Sequence, residues 1–243
     1  VTTWRPLDYT MERQQVGAKL ELTFDSPFFF VANVTQTDKE GLRPWGVNID
    51  STTGGSDAAE IPCPIDSTTT NVTVKAGYRT KTLFTQFDIS FSEYKNDRDR
   101  VGLPVTGLPD YNSAQPGPVY FGPDNDMIQF GGQLTLRDLP LHTVFSVRAS
   151  HSQLESDAQV AGTADGEVEY NKFAISLRSR PVKSLDTEIS YSFLQKDNKA
   201  ASFNYGALGQ THVFEYTKNH ALLAAGYRVN RDNRVKLGYD YLN

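Results

Sequence analysis

The sequence predicts an all-β fold, a transmembrane antiparallel up-and-down β-barrel. Three observations predict it. Apolar residues recur at every second position through about ten segments, the period of a strand with one apolar and one polar face. Many segments reach roughly ten residues, the length a tilted strand needs to cross a bilayer. Short polar turns alternate with long polar loops, as in outer-membrane barrels, where periplasmic turns are short and extracellular loops long.

Composition bounds the alternatives. Hydrophobic residues make up 38% of the 243 residues, and no apolar run approaches the ~18 residues of a membrane helix. A barrel needs none, because it hides its apolar residues at alternate positions. The net charge of −5 argues against a nucleic-acid partner. The single cysteine, Cys63, excludes an intrachain disulfide framework, and the absence of a CxxCH leaves no covalent haem attachment in the chain. No signal peptide opens the sequence, so Val1 reads as a mature terminus or an arbitrary cut. The whole chain, 1–243, reads as one outer-membrane barrel segment, with a lead-in at 1–11 and strands through 12–243.

In the first predicted strand, 12–24, Val16, Ala18, Leu20, Leu22 and Phe24 alternate with Gly17, Lys19, Glu21 and Thr23. Asp25-Ser26-Pro27 has turn chemistry. The chain returns over 28–37. Residues 38–70, rich in Gly, Pro, Ser, Thr and Asp, read as a long loop that includes Cys63. The clearest hairpin follows at 71–95. Val72, Val74, Ala76 and Tyr78 share one face, and Phe87, Ile89 and Phe91 continue it beyond the turn Thr80-Lys81-Thr82. A second long loop, 96–125, carries five prolines, Pro104, Pro109, Pro116, Pro118 and Pro123. Strands are predicted at 127–137 and 141–152 around Asp138-Leu139-Pro140. After a loop at 155–167 come strands at 172–178 and 185–195 around Arg180-Pro181-Val182-Lys183. A loop at 197–213 leads to the last pair, 214–229 and 234–241, around Asn230-Arg231-Asp232-Asn233.

Several segments, in their order along the chain, resemble the MtrB/PioB family of decahaem-associated outer-membrane β-barrels. Glu60-Ile-Pro-Cys-Pro-Ile-Asp-Ser-Thr-Thr69 resembles the family's LPxPIDYTT approach to a strand, and the hairpin then runs to Asn96-Asp97-Arg98-Asp99. Pro123-Asp-Asn-Asp126, the run from Tyr191 to Asn198, and His220 to Tyr227 (HALLAAGY) are also similar. The resemblance implies a bacterial outer-membrane sheath around a periplasmic multihaem c-type cytochrome. Such a sheath forms a conduit for extracellular electron transfer, with an extracellular multihaem cytochrome as a further partner. It implies no enzyme activity and no cofactor in this chain; the haem belongs to the partner. Family barrels have more than twenty strands, so about ten strands are expected to form an open arc. The family's N-terminal CxxC has no counterpart in the sequence, and Cys63 does not map onto it. Two other readings stand beside this one: a porin passing small solutes, and a soluble β-rich binding module.

Alternation assigns Lys19, Lys75, Arg79, Arg137, Arg148, Lys172, Arg178, Lys218, Arg228 and Lys236 to the lumen, with the acids Glu21, Asp88, Glu188 and Asp240. Between them lie Ser90, Ser92, Gly131, Ser146, Ser150, Ser176, Ser190 and Ser192. A basic lining with small residues leaves room for a guest and complements haem propionates or acidic protein surface. An ordinary water-filled porin wall has the same pattern. The short-turn end concentrates bases: Arg79, Lys81, Arg137, Arg178, Arg180, Lys183, Arg228, Arg231 and Arg234, offset mainly by Asp25, Asp138 and Asp232. The long loops are acidic. A basic periplasmic mouth that steers an acidic guest inward is the expectation.

Other candidates are weaker. Asp97, Asp99, Asp124, Asp126, Asp157 and Asp197 have the hard oxygen chemistry for Ca²⁺ but no EF-hand spacing. His142, His151, His212 and His220 have no metal-ligand spacing. No P-loop, GxGxxG or nucleophile elbow occurs. Phe28, Phe29, Tyr78, Phe91 and Tyr94, near strand ends, read as an interfacial aromatic girdle.

Overall fold

The computed structural model describes residues 8–50, 56–98, 100–101, 119–120, 122–157, 166–199 and 214–243. Twelve strands follow in order: β1 (Met11–Thr23), β2 (Phe28–Asp50), β3 (Ser56–Arg79), β4 (Leu83–Asn96), β5 (Arg100–Val101), β6 (Val119–Tyr120), β7 (Asn125–Leu139), β8 (Thr143–Ser156), β9 (Gly166–Val182), β10 (Leu185–Asn198), β11 (Tyr216–Arg228) and β12 (Arg234–Leu242). The short strands β5 and β6 pair only with each other. The other ten form one antiparallel sheet in the order β1-β2-β3-β4-β7-β8-β9-β10-β11-β12. Neighbours in this sheet are neighbours in the chain, the meander the alternation predicts. β1 and β12 stand at opposite ends of the order and do not pair, so the sheet is open, as expected.

Register fixes the two faces. Val72, Val74 and Ala76 lie opposite Phe91, Ile89 and Phe87. Farther along, Phe145, Leu177, Ile189, Leu223 and Tyr239 form one continuous apolar row. Among the described residues the one buried apolar side chain is Cys63, whereas Phe87, Ile189, Leu223, Leu237 and Tyr239 are all exposed. A water-soluble domain does not survive with its apolar side chains outside and no apolar core. A strand wall in a bilayer requires that arrangement, because lipid covers the apolar face and the ladder pairs the backbone groups of neighbouring strands. Polar groups on this face pair off. His151 and Asn171 share a hydrogen bond of 2.8 Å, and Tyr191 Oη donates to Asn219 at 2.7 Å.

The strands run longer than the sequence predicts, most of all at 38–70. In place of a loop, β2 and β3 continue as a tall hairpin in unbroken register from Asp38↔Thr68 to Asp50↔Ser56. Beyond the bilayer both faces meet water, so the alternation that betrays a strand disappears while the Thr-rich chain keeps its β propensity. Cys63 therefore lies on β3, 1% exposed, and not in a loop. The loop predicted at 96–125 falls between β4 and β7 as expected, whereas that at 155–167 shrinks, because β8 ends at Ser156 and β9 starts at Gly166.

The turns confirm the short end. At Thr80 the backbone N–H donates to the Leu83 carbonyl (2.7 Å), and Thr80 Oγ1 accepts the Leu83 N–H (2.9 Å). Asn230 Oδ1 accepts the backbone N–H groups of Asp232 and Asn233 at 3.0 and 2.8 Å. Two turns sit differently from expectation. Leu141 and His142 take positive φ (64° and 51°) and belong to the turn, so β8 begins at Thr143. β9 runs through Arg180 and Pro181 to Val182, because the pairing slips from Thr187↔Ser179 to Leu185↔Val182. Arg180 and Pro181 together face Asp186, a bulge that tolerates a proline without an N–H.

Candidate functional site

Cross-strand partners share a face, so the register tests where the predicted lining residues lie. One row runs Glu21, Val31, Lys75, Asp88, Gly131, Ser150, Lys172, Leu194, Lys218. A second runs Gln133, Arg148, Ala174, Ser192, His220, Leu242. Lys19, Arg79, Arg178, Glu188, Arg228, Lys236 and Asp240 fall on the same polar face by the same count. Arg137 continues that alternation on β7, where pairing with β8 slips. The predicted set thus shares one face by register, and two groups on that face stand out.

The first group is at the short-turn end. Arg178 holds Glu188 through two nitrogens, Nη2 at 2.7 Å and Nε at 2.9 Å. Asp186 takes Arg180 on one oxygen (2.6 Å) and Arg234 on the other (2.7 Å). Arg234 reaches it diagonally across β11 because Gly226 lies beneath; a Cβ there would stand 2.8 Å from Arg234 Nη2. These residues line an open groove of about 810 Å³. The sequence predicts a basic rim offset mainly by Asp25, Asp138 and Asp232. Asp186 and Glu188 add two negative charges, paired with three of its arginines. Their parity on β10 was a usable signal for the face, but the diagonal and bulged contacts were not.

The second group lies farther along the strands, on β8 to β11. Arg148, Lys172, Lys218 and His220 border an open groove of about 970 Å³ over Ser150, Ala174 and Ser192. Lys172 lies 5.8 Å from the centre of the Tyr170 ring and Lys218 4.8 Å from that of Tyr216. Such cation–π contacts brace an ammonium without cancelling its charge. His220 Nε2 and Asp240 are 2.6 Å apart. Among the described residues, Arg148, Lys172 and Lys218 have no carboxylate within ion-pair distance.

An aromatic cluster joins the same wall. The Phe29 and Phe84 rings stack at 6.0 Å and 10°, with the Arg79 guanidinium 5.1 and 5.4 Å from their centres. Phe29 lies across Gly77, where a side chain would collide with it. Phe29 and Tyr94 therefore belong to the polar face, correcting their reading as girdle. Phe28, Tyr78 and Phe91 do sit on the apolar face, and Phe28 and Tyr78 meet edge to face at 5.0 Å.

Two of the aspartates proposed for Ca²⁺ are engaged in hydrogen bonds. Asp124 Oδ1 accepts the Asn96 backbone N–H (2.7 Å), and Asp197 accepts the Gln195 amide. Asp99 and His212 lie outside the described residues. Among the described residues no group of three His, Cys, Asp or Glu side chains could hold a metal ion.

An open meander with a lipid-ready apolar face, a polar face and short turns at one end defines an outer-membrane β-barrel protein. The family described as "Putative outer membrane beta-barrel porin, MtrB/PioB" matches residues 2–243. The chain belongs to that family. No curated protein matches it. Among solved structures it is similar to in-vitro folded OmpT, an outer membrane protein of Vibrio cholerae, with a TM-score of 0.43 and 8% identity over 97% of this chain and 86% of that one. The trimer form of that protein matches with the same score and identity, over 97% and 89%. Likeness at this level adds nothing about what the chain does.

Proposed function

We propose that this chain is wall of an outer-membrane sheath that holds a periplasmic multihaem c-type cytochrome and so completes a conduit for extracellular electron transfer. The observation that carries the reading is the composition of the polar face. Cationic side chains stand there around a floor of Ser, Ala and Gly, so the wall is both attractive to acidic groups and low enough to admit a folded guest. The chain itself does no redox chemistry in this account. It gives a charged protein a path through a layer that charged groups do not enter unaided. The polar face is the lumen, the apolar face meets lipid, and the short turns face the periplasm.

The test is isolation of the full-length protein from outer membranes in detergent, with haem staining and a c-type absorption spectrum. Comigration of a multihaem protein with the barrel is the expected result. A barrel that is isolated alone and passes small solutes in planar bilayers would establish the porin reading instead.

A further inference from the structure

We infer that Arg148, Lys172 and Lys218 form an oxyanion cradle, a discrete site for paired carboxylate or phosphate groups on the β8–β11 wall. The inference rests on the lumen reading above and adds the place and chemistry of contact.

Three independent features point to it. First, the charges are available. Arg178, Arg180 and Arg234 at the rim each hold a carboxylate, whereas among the described residues Arg148, Lys172 and Lys218 hold none. Second, they border one groove. Ser150 on β8 faces Lys172 on β9, which lies in register with Leu194 and Lys218 across β10 and β11. Lys172 and Lys218 are thus two strand spacings apart, roughly 10 Å between backbones. That spacing lets two long side chains reach one divalent group or two neighbouring ones. Third, there is room and direction. Ser150, Ala174 and Ser192 leave a groove of about 970 Å³, and Tyr170 and Tyr216 brace the two ammonium groups beside it. His220, hydrogen-bonded to Asp240, sits at the margin.

Clustered like charges repel one another. A bound oxyanion removes it. Two sources present this chemistry: carboxylates on the enclosed guest, and small free oxyanions.

The probe is inorganic pyrophosphate, titrated calorimetrically at low ionic strength against the full-length barrel in detergent. Wild type is compared with R148Q/K172Q/K218Q and with the rim variant R178Q/R180Q/R234Q. Each variant is first checked for the heat-resistant gel mobility of a folded barrel. Loss of about tenfold or more in affinity in the wall variant, with the rim variant near wild type, supports the cradle. No binding by wild type, or equal losses in both variants, overturns it. The guest arm then assigns the source. If the wall variant also loses its haem-staining partner, guest carboxylates occupy the cradle; if it keeps the partner, small oxyanions do. A wild-type barrel that binds pyrophosphate but has no cytochrome contradicts the sheath and leaves the cradle standing.

Discussion

Two basic clusters share one face of this wall, and they differ in their counter-ions. At the rim, Asp186 and Glu188 satisfy Arg178, Arg180 and Arg234 at 2.6 to 2.7 Å. Farther along the strands, Arg148, Lys172 and Lys218 are braced by aromatic rings or free, and no carboxylate of the described residues meets them. The three rim arginines pair with carboxylates across β9, β10 and β12. The wall cations have no such pairing among the described residues. Counting arginines at a barrel mouth overstates its field; what steers a partner is the charge left after internal pairing.

The comparison first requires that the wall charges face away from lipid, and the largest expected effect tests that. Phe173 and Ala174 are adjacent on β9 but on opposite faces. Phe173→Arg places a charge toward the bilayer and is expected to cost about 2–4 kcal/mol near the midplane. Ala174→Arg on the polar face is expected to cost under about 1 kcal/mol. Reversible folding into lipid vesicles in denaturant measures both, and equal costs would erase the distinction between faces.

A smaller effect follows from removing the rim's counter-ion. Asp186→Asn releases both Arg180 and Arg234 and makes the rim resemble the wall. Pyrophosphate affinity should then rise, by several-fold at low salt, and the gain should vanish as screening shortens below about 10 Å. Stability should fall only slightly, because exposed ion pairs are weak. An unchanged affinity would mean that pairing does not decide what the rim attracts.

Gly226→Val asks the same question more gently. The new side chain displaces Arg234 from its diagonal path while Arg180 keeps its hold on Asp186. The expected rise in affinity is smaller than for Asp186→Asn, read by the same titration. The smallest effect is at Phe84→Ala, which removes the stack on Phe29 and one cation–π contact of Arg79. The expected loss is about 0.5–1.5 kcal/mol in folding stability, with no change in wall binding.

The sequence carried the membrane-embedded parts well, because the bilayer itself enforces the alternation. The alternation of Val72 to Tyr78 and Phe87 to Phe91 is matched by the register, and the predicted lining residues share one polar face. Residues 38–50 and 56–70 were illegible as strand because nothing apolar selects one face there. Phe29 and Tyr94 were misplaced because aromatic identity was weighed over parity. The rim pairs were hidden for another reason: the bulge at Arg180-Pro181 and the diagonal over Gly226 arise from register shifts that no repeat in the sequence announces.

The central claim, that a multihaem guest lies against the polar wall, is tested most directly by photocrosslinking from two adjacent residues. Ser192 lies on the groove floor, and Phe193 next to it is on the apolar face. A benzophenone amino acid is placed at 192 or at 193 in the full-length protein, cells are irradiated, and adducts are separated and stained for haem. The sheath predicts a haem-staining adduct from position 192 and none from position 193. No such adduct from 192, or equal adducts from both, would contradict it.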